Sequence, residues 1–431
     1  MRLMIFGLTV LAVVSASFAA DWPQFRGPCL NGVSNETGLP DRLDPNTMAW
    51  QIPLPGPGES TPVICGDRVY LTGCEKETKA LFVMCVDAAD GRPRWKKNVS
   101  RYVKPKRGTA VASPSPAADE TGAVFLFSNG FLVKFDPNGN QLWAHDLAAL
   151  YGPMAHLWNY SNSPVLHQGR LYIVVMRMTG LPKGSEYTGS MASYLLGVDP
   201  ADGTVLFKVE RPTDAVHESN DAYTTPVIAA VNDQQQIVLY GADYITGHDL
   251  TTGTELWRYH FSKKKGRNDR IIPTPVTVGD VLYCTFPRGQ SVFACSLSKL
   301  AKGDPNESPL NWTYEGTAPD VPSPVWVDGS VYTIAEKKKT LTCLDAATGR
   351  KQWIGKLDAG EIYHASITAA DGKLYMVNRK GTVTVVAADP AQFRILSTHA
   401  FDEKPADSSI AVANGKLYLR TAENLYCFTQ K

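Results

Sequence analysis

Eight copies of one motif run along this chain and restrict it to a repeat architecture. Each copy has a small polar residue, then Pro or Ile, then an apolar run that ends in an aromatic residue. The Pro or Ile positions are Pro62, Pro116, Pro164, Pro226, Pro275, Pro324, Ile367 and Ile410. The aromatic residues are Tyr70, Phe125, Tyr172, Tyr240, Tyr283, Tyr332, Tyr375 and Tyr418. Six of these eight pairs are 8 residues apart, so we interpret the copies as one structural unit repeated.

A second motif of an Asp, a turn Gly and an aromatic residue follows in five copies. The sets are Asp87, Gly91, Trp95; Asp136, Gly139, Trp143; Asp199, Gly203, Phe207; Asp249, Gly253, Trp257; and Asp345, Gly349, Trp353. Asp caps a turn through its own backbone, and Gly accepts the positive φ of a short hairpin. Asp87 with Asp90, and Asp199 with Asp202, also suggest calcium loops, but the ligands that such a loop needs after its Gly are absent. We interpret these positions as structural.

Each unit contains about four short alternating strands and no useful helical period. A lone four-stranded sheet exposes both faces, whereas eight sheets arranged radially bury them against one another. The sequence therefore predicts an all-β fold, an eight-bladed β-propeller of four-stranded antiparallel blades. Each outer strand offers one large residue to cover the gap between blades. These residues are Trp50, Trp95, Trp143, Phe207, Trp257, Trp312, Trp353 and Ile395.

The two ends of the repeat region complement each other. The eighth copy ends at Cys427 without an outer Trp strand, and an unpaired strand pattern around Trp50 precedes the first copy. We expect the N-terminal strand to pair with the C-terminal strand and complete the last blade. Such a ring is one cooperative unit, unlike an open solenoid.

The chain divides into a signal peptide (1–19), a head segment (20–46) and the propeller (47–431). Arg2, the apolar run 3–14 and Ala19 are typical of a secretory signal. The run is shorter than the roughly 20 residues of a membrane-spanning helix, so no transmembrane segment is predicted. No Cys follows the cleavage site directly, which argues against a lipid anchor. We expect an exported protein, periplasmic or extracellular.

The head segment carries Trp22, Phe25 and Arg26 ahead of the first blade. We expect it to pack across the outside or one end of the propeller, and the alternative is a partner-docking arm. The chain has 43 Lys and Arg against 42 Asp and Glu, a net charge of +1. This balance gives no electrostatic reason to expect nucleic acid or an anionic membrane as partner. We expect a monomer.

The eight cysteines of an exported chain raise the question of disulfides. Four share one register of the repeat, where other copies have Gly, which predicts small buried residues: Cys85, Cys295, Cys343 and Cys427. Cys29, Cys65, Cys74 and Cys284 share no register, and a bridge between Cys74 and Cys85 is an open hypothesis. The sequence has no zinc-ligand spacing and no haem-attachment motif.

The repeat resembles the tryptophan-docking motif of pyrroloquinoline quinone (PQQ) propeller repeats from Trp50 to the C-terminus. The stretch WPQFRGP at 22–28, with Asn31 to Ser34 after it, resembles the N-terminal signature of exported bacterial PQQ-like propeller proteins. In the quinoprotein alcohol dehydrogenases of this superfamily, the resemblance implies PQQ over calcium, a disulfide between adjacent cysteines and an Asp base. This chain has no adjacent Cys pair. In the outer-membrane assembly (BamB-type) branch it implies a cofactor-free lipoprotein scaffold, but the lipid-bearing Cys is missing here.

The loops that lead into the first strand of each blade, here called the inlet loops, must open on one face around the central axis. They predict a polar, partly aromatic funnel. Its candidate ligand-binding residues are Glu59, Arg107, His156, Trp158, Asn159, Asn162, His217, Asn220, Asp221, Tyr223, Asp269, Arg270, Asp320, Tyr363, His364 and Asp407. No catalytic residue is assigned and no metal is predicted.

Two functions follow from this sequence. The first is an exported binding or scaffold propeller that takes a protein, glycan or small ligand in its funnel and requires no cofactor. The alternative is a PQQ-dependent alcohol or sugar dehydrogenase. PQQ would need Arg or Lys for its carboxylates, and calcium would need carboxylate or amide oxygens. The candidates for those roles are Trp158, Arg270, Asp221, Asn220 and Glu59.

Overall fold

The computed structural model describes residues 21–102, 111–262, 269–357 and 360–430. The proposed signal peptide and Arg107 lie outside these ranges. Within them the chain forms eight four-stranded antiparallel blades, which confirms the predicted propeller. Neighbouring inner strands contact one another around the axis, and the inner strand of the eighth blade contacts that of the first.

The blades follow one another along the chain. Two strands precede the first blade: β1 (Val33–Ser34) and β2 (Met48–Pro53). Blade 1 has β3 (Val63–Cys65), β4 (Arg68–Cys74), β5 (Ala80–Asp87) and β6 (Pro93–Arg101). Blade 2 has β7 (Ala117–Asp119), β8 (Gly122–Leu126), β9 (Phe131–Phe135) and β10 (Gln141–Asp146). Blade 3 has β11 (Val165–His167), β12 (Arg170–Val175), β13 (Tyr194–Val198) and β14 (Val205–Glu210). Blade 4 has β15 (Val227–Val231), β16 (Gln234–Gly241), β17 (Tyr244–Asp249) and β18 (Glu255–His260).

The second half repeats this plan. Blade 5 has β19 (Val276–Val278), β20 (Val281–Thr285), β21 (Val292–Ser296) and β22 (Leu310–Tyr314). Blade 6 has β23 (Val325–Val327), β24 (Ser330–Ala335), β25 (Thr340–Asp345) and β26 (Lys351–Lys356). Blade 7 has β27 (Thr368–Ala370), β28 (Lys373–Val377), β29 (Thr382–Ala387) and β30 (Ile395–Ala400). Blade 8 has β31 (Ala411–Ala413), β32 (Lys416–Arg420) and β33 (Asn424–Thr429). The helical elements are α1 (Leu147–Tyr151), α2 (Leu297–Lys302) and 3-10 turns at His217–Asn220 and Pro287–Gly289.

The last blade is completed by a strand from the other end of the propeller. β2 pairs antiparallel with β33, and Trp50 lies opposite Cys427. The eighth sheet therefore has the order β2, β33, β32, β31. The predicted closure of the ring is confirmed.

The Trp residues of the outer strands pack into the next blade, as the repeat predicts. Five indole N–H groups donate to a backbone carbonyl in the turn between strands three and four of the following blade, at 2.9–3.3 Å. These Trp residues are Trp50, Trp95, Trp143, Trp312 and Trp353. Each indole thereby buries apolar area and satisfies its polar atom at the same time.

The turn that receives an indole explains the second motif. Gly139 has φ +82°, and a Cβ there would lie 2.7 Å from Cγ of Trp95. The position needs Gly both for its backbone conformation and for the approach of the indole. Asp136 accepts the backbone N–H of Asn138 at 2.8 Å and so caps the same turn.

Blade 4 departs from this pattern because blade 5 has a helix where the other blades have the turn. Ser296 caps the N-terminus of α2, accepting the N–H of Lys299 at 3.2 Å. Trp257 packs in one core cluster with Leu297 and Leu300 of that helix. Its indole N–H donates to Gln236 within its own blade, at 2.7 Å.

Cysteines fill the register predicted to be small and buried. Cys85, Cys295, Cys343 and Cys427 are all fully buried. All eight cysteines lie in the described ranges, and none is disulfide-bonded there. The suggested bridge between Cys74 and Cys85 is wrong, because Cys74 lies opposite Leu81 whereas Cys85 lies opposite Tyr70. This offset of four residues is roughly 13 Å along the strands, and a disulfide spans less than about 7 Å between Cα atoms.

The head segment lies across the end of the propeller opposite the inlet loops. Trp22 exchanges two backbone hydrogen bonds with Ile64 of blade 1, at 3.0 and 2.9 Å. The side chain of Gln24 accepts the backbone N–H of Leu166 in blade 3 at 2.9 Å. The segment therefore bonds to inner strands on different sides of the axis.

Its continuation reaches the far side of the ring. The buried guanidinium of Arg26 donates to the carbonyl oxygens of Leu30, Asn31 and Pro324, the last at the start of blade 6. Burial lowers the pKa of Arg26 to about 9. β1 then adds parallel to β27 of blade 7, with Val33 opposite Ala369. The head segment packs across one end of the ring and links blades 1, 3, 6 and 7.

Replacing Trp22 with Ala tests whether this segment stabilises the ring. Trp22 is 1% exposed, so Trp22→Ala is expected to lower the free energy of unfolding by about 3–5 kcal/mol, measured by urea denaturation. Leu256→Ala is the control, because Leu256 is 48% exposed and its loss should change stability by less than about 0.5 kcal/mol. Equal stability of the two variants would contradict a structural role for the head segment.

Candidate functional site

A ring of hydroxyl groups surrounds the central axis. It consists of the small polar residue of the first motif, one from each blade: Thr61, Ser115, Ser163, Thr225, Thr274, Ser323, Ser366 and Ser409. Seven backbone N–H groups of this hydroxyl ring each donate to the hydroxyl oxygen of the next blade, at 3.0–3.2 Å. Within the described residues, this fixes seven oxygen positions and leaves each hydroxyl hydrogen free to donate.

All eight ring residues line a cavity of about 430 Å³ on the inlet-loop side, the funnel. Phe25 of the head segment lines the same cavity from the other end. Five of the residues predicted from the sequence also line it: Glu59, Trp158, Tyr223, His364 and Asp407. The volume lies within the roughly 300–1,000 Å³ typical of small-ligand pockets. The inlet loops therefore converge on one polar cavity.

An ion pair forms one wall of the funnel. Nε of Arg379 contacts both carboxylate oxygens of Asp407, at 3.0 and 3.2 Å. Burial raises the pKa of Asp407, and Arg379 opposes this rise. The terminal NH₂ groups of Arg379 make no hydrogen bond within the described residues. This leaves a guanidinium edge available to a ligand.

His364 lies beside this pair, with Nδ1 3.5 Å from Oδ1 of Asp407. Burial, and next the positive charge of Arg379, lower the pKa of His364 to about 4. Glu59 and other carboxylates nearby raise the pKa of His364, but by less than burial and Arg379 lower it. The imidazole is therefore neutral at pH 7 and adds no positive charge to the funnel.

Glu59 forms the adjoining wall, and a buried arginine lies behind it. Oε2 of Glu59 accepts the hydroxyl of Ser113 at 2.8 Å. Arg420, at the end of β32, is fully buried and donates to the hydroxyl oxygen of Ser60 at 2.5 Å. Burial lowers the pKa of Arg420 to about 9, and Glu59 acts to raise it. The guanidinium keeps its proton at neutral pH and balances the carboxylate of Glu59.

The aromatic wall is held by hydrogen bonds from its own loops. The backbone N–H of Trp158 donates to the hydroxyl of Tyr223 at 3.3 Å, and its indole N–H donates to Glu218 at 3.4 Å. Asp221 is fully buried and accepts the backbone N–H of Leu157 at 2.6 Å and the hydroxyl of Tyr223 at 3.2 Å. Asp221 therefore positions the loop that carries Trp158.

A charged network continues from this wall along the rim. Arg270 lies 3.5 Å from Glu218 and 3.2 Å from Asp320. Glu218 also accepts Arg288 at 2.5 Å. The buried carboxylate of Glu336 accepts the backbone N–H of Asp320 at 3.0 Å. Arg270 and Asp320, both predicted as site residues, are therefore engaged with each other next to the funnel.

The other predicted site residues lie in loop contacts or at the surface. Buried Asn159 accepts the hydroxyl of Tyr102 at 3.1 Å, and Nδ2 of Asn162 donates to Thr224 at 2.7 Å. The remaining residues have varied positions. His156 packs against Tyr223, Asp269 borders a separate 220 Å³ cavity, Asn220 and Tyr363 are buried, and His217 is exposed.

Sequence reasoning missed Arg379, the buried Arg420 behind Glu59 and the position of the hydroxyl ring in the cavity lining. Arg379 follows β28 in the connection to β29, which reaches the same face as the inlet loops. The ring residues were recognised as repeat markers only. A usable signal was the Arg that follows the apolar end of the second strand in blade 7 and that ends the second strand in blade 8.

The residues present do not fit PQQ bound over calcium. Within the described ranges, no group of three His, Cys, Asp or Glu side chains is placed to hold a metal ion. Two of the candidates for calcium and for the PQQ carboxylates are engaged elsewhere, because Asp221 holds the Trp158 loop and Arg270 is paired with Asp320. A third, Asn220, is buried and does not line the funnel. Only Trp158 and Glu59 of the proposed PQQ set line the funnel.

These observations define a closed eight-bladed propeller with PQQ-type repeats and a polar funnel. The family described as outer membrane protein assembly factor BamB matches residues 43–179 and 162–355. The match spans more than half of the chain, and the protein belongs to this family. No curated protein sequence matches the chain significantly. None of the helices in the described ranges has the length and apolar character of a membrane span.

Solved structures similar to this one come from both branches of the superfamily. BamB from Moraxella catarrhalis is 15% identical, with a TM-score of 0.62 over 89% of this chain and 99% of its own. A europium-containing methanol dehydrogenase is 10% identical, with a TM-score of 0.68 over 95% of this chain and 98% of its own. The quinohemoprotein alcohol dehydrogenase ADHIIG from Pseudomonas putida HK5 is 13% identical, with a TM-score of 0.65 over 95% of this chain and 80% of its own. At these identities the similarity shows the fold.

The lowered pKa of His364 predicts a pH-dependent contribution to stability. The unfolded chain binds the proton near pH 6.5, whereas the folded protein binds it near pH 4. The contribution is therefore fully present above pH 6.5 and is lost as the pH falls to 4. It amounts to about 2–3 kcal/mol, since one pKa unit corresponds to about 1.4 kcal/mol and His364 is partly exposed.

Urea denaturation of the wild type and His364→Gln from pH 7.5 to 4 checks this prediction. Between pH 7.5 and 4, the free energy of unfolding of the wild type should fall by about 2–3 kcal/mol more than that of the variant. His167→Gln, at a half-buried histidine on β11 outside the funnel lining, is the matched control and should follow the wild type. Parallel curves for the wild type and His364→Gln would refute the burial effect.

Proposed function

We propose that this protein is an exported binding propeller that holds a polar ligand in its funnel and performs no chemistry on it. The cavity lined by the hydroxyl ring, Arg379, Asp407 and Trp158 supports this proposal most directly. Its polar groups come from several blades and are fixed by neighbouring hydrogen bonds, so little side-chain ordering is needed when a ligand binds. The ligand is a small molecule or the end of a glycan or protein chain narrow enough to enter.

Family membership agrees with a binding role. The family is described as an assembly factor, and an assembly factor acts by binding. Export is supported by the signal pattern over residues 1–19. N-terminal sequencing of the secreted or periplasmic protein should begin at Ala20, and an intact N-terminus on a protein confined to the cytoplasm would contradict export.

A PQQ-dependent alcohol or sugar dehydrogenase is the second candidate, favoured by the similarity of the fold to quinohemoprotein and methanol dehydrogenases. The donor set of the funnel argues against it. Incubation with PQQ and CaCl₂ should cause neither a change in PQQ absorbance nor dye reduction with alcohols, aldoses or aldehydes. Turnover in this assay would replace the binding proposal with the enzymatic one.

Blocking the funnel tests the binding proposal. Ser161 lines the cavity, so Ser161→Trp should fill space that a ligand needs. The probes are saccharides, amino acids, dicarboxylates and nucleotides, screened by thermal shift and native mass spectrometry. We expect at least one class to raise the Tm of the wild type, because a ligand that binds only the folded state stabilises it.

The same probe should have no effect on Ser161→Trp. Ser190→Trp, at an exposed loop position that does not line the funnel, is the matched control and should respond as the wild type does. Binding that survives Ser161→Trp would place the site elsewhere. If no probe class binds, the proposal of a small-ligand funnel fails.

A further inference from the structure

The charges of the funnel restrict the kind of ligand it can take. Among the described lining residues, Glu59 and Asp407 are negative, Arg379 is positive and His364 is neutral at pH 7. The lining residues that the structure describes therefore carry no excess of positive charge. Arg379 is already compensated by Asp407 at 3.0 Å. A ligand with several carboxylate or phosphate groups would leave charges unpaired in a partly enclosed site.

The hydrogen-bonding groups of the funnel are suited to hydroxyl groups. Each residue of the hydroxyl ring can donate and accept. The free guanidinium edge of Arg379 donates, and it lies next to the carboxylate of Asp407, which accepts. A hydroxyl group of a ligand can pair with any of these, whereas a carboxylate can use only the donors. Donors and acceptors side by side favour a ligand rich in hydroxyl groups.

An aromatic wall adds a surface for a C–H face. Trp158 and Tyr223 both line the cavity. The indole is held by Glu218 at 3.4 Å and its backbone by the hydroxyl of Tyr223, so its position is set before a ligand arrives. Aromatic faces carry negative charge density, and the axial C–H groups of a pyranose are weakly positive.

We propose that the funnel binds a neutral saccharide, with a pyranose unit against Trp158 and its hydroxyl groups on Arg379, Asp407 and the hydroxyl ring. This inference rests on the proposed binding function and names its ligand class. The 430 Å³ cavity has room for a terminal sugar unit, and its open side allows the rest of a glycan to extend into solvent.

Isothermal titration with matched neutral and charged probes tests the ligand class. The probes are cellotriose, maltotriose, xylotriose and tri-N-acetylchitotriose, with tri-galacturonate and tri-glucosamine as charged counterparts. We expect at least one neutral trisaccharide to bind ten-fold or more tightly than either charged one. Its affinity should be the same at 50 and 500 mM NaCl, because a neutral ligand is not screened by salt.

Substitutions locate the bound sugar. Trp158→Ala should weaken binding at least ten-fold, and Trp158→Phe should retain most of it. Trp326→Ala is the matched control, since Trp326 borders a different cavity at the head-segment end, and it should bind as the wild type does. Circular dichroism of each variant verifies folding. Equal affinity of Trp158→Ala and the wild type would overturn the proposed placement.

The outcomes separate this inference from the function on which it rests. If charged probes bind, neutral ones do not, and Ser161→Trp abolishes the binding, the saccharide inference is wrong and the funnel is still a binding site. If no saccharide binds and no other probe class responds to Ser161→Trp, both proposals fail. Binding of a neutral saccharide that is lost in Ser161→Trp and Trp158→Ala supports both.

Discussion

The pairing of β2 with β33 is the constraint on which the rest of the structure depends. It joins strands more than 370 residues apart in sequence and places Trp50 against the turn of blade 1. Without it, the first and last blades would each expose a face that the ring buries. Nothing would then hold the inner strands at a fixed distance from the axis. The residues of the hydroxyl ring would then no longer surround a single axis.

The head segment turns this ring into a one-sided site. A propeller channel is open at both ends, but here Phe25 lines the cavity from the far end while Arg26 and β1 attach the segment to blades 6 and 7. The same contacts that stabilise the inner strands therefore also leave the inlet-loop side as the open end. This coupling explains why Trp22 and Arg26 are buried rather than presented to a partner.

The sequence was sufficient for the fold because its signals are local and repeated. The Asp and Gly of the turns in five copies and the large apolar residue of each outer strand predict the blade, and Trp50 predicts the closure. The site was predictable only in part. Inlet loops pointed to Glu59, Trp158, Tyr223, His364 and Asp407, which line the cavity. Sequence spacing could not show that the Asp221 carboxylate binds the loop that carries Trp158. It also could not show that Arg379 reaches the funnel from the connection between β28 and β29.

Repetition and specificity have different sources in this molecule. The hydroxyl ring is supplied by every blade and is nearly uniform around the axis, so by itself it cannot select one ligand or one orientation. Selection must come from residues that break the repeat: Trp158 in the loop before blade 3, Arg379 in blade 7 and Asp407 before blade 8. The ion pair of Arg379 and Asp407 forms one wall and Trp158 another, so together they combine an apolar face with a donor and an acceptor. An uncharged ligand with one C–H face and hydroxyl groups at its edges can contact Trp158, donate to Asp407 and accept from Arg379 at once. A flat polyanion can only accept from Arg379.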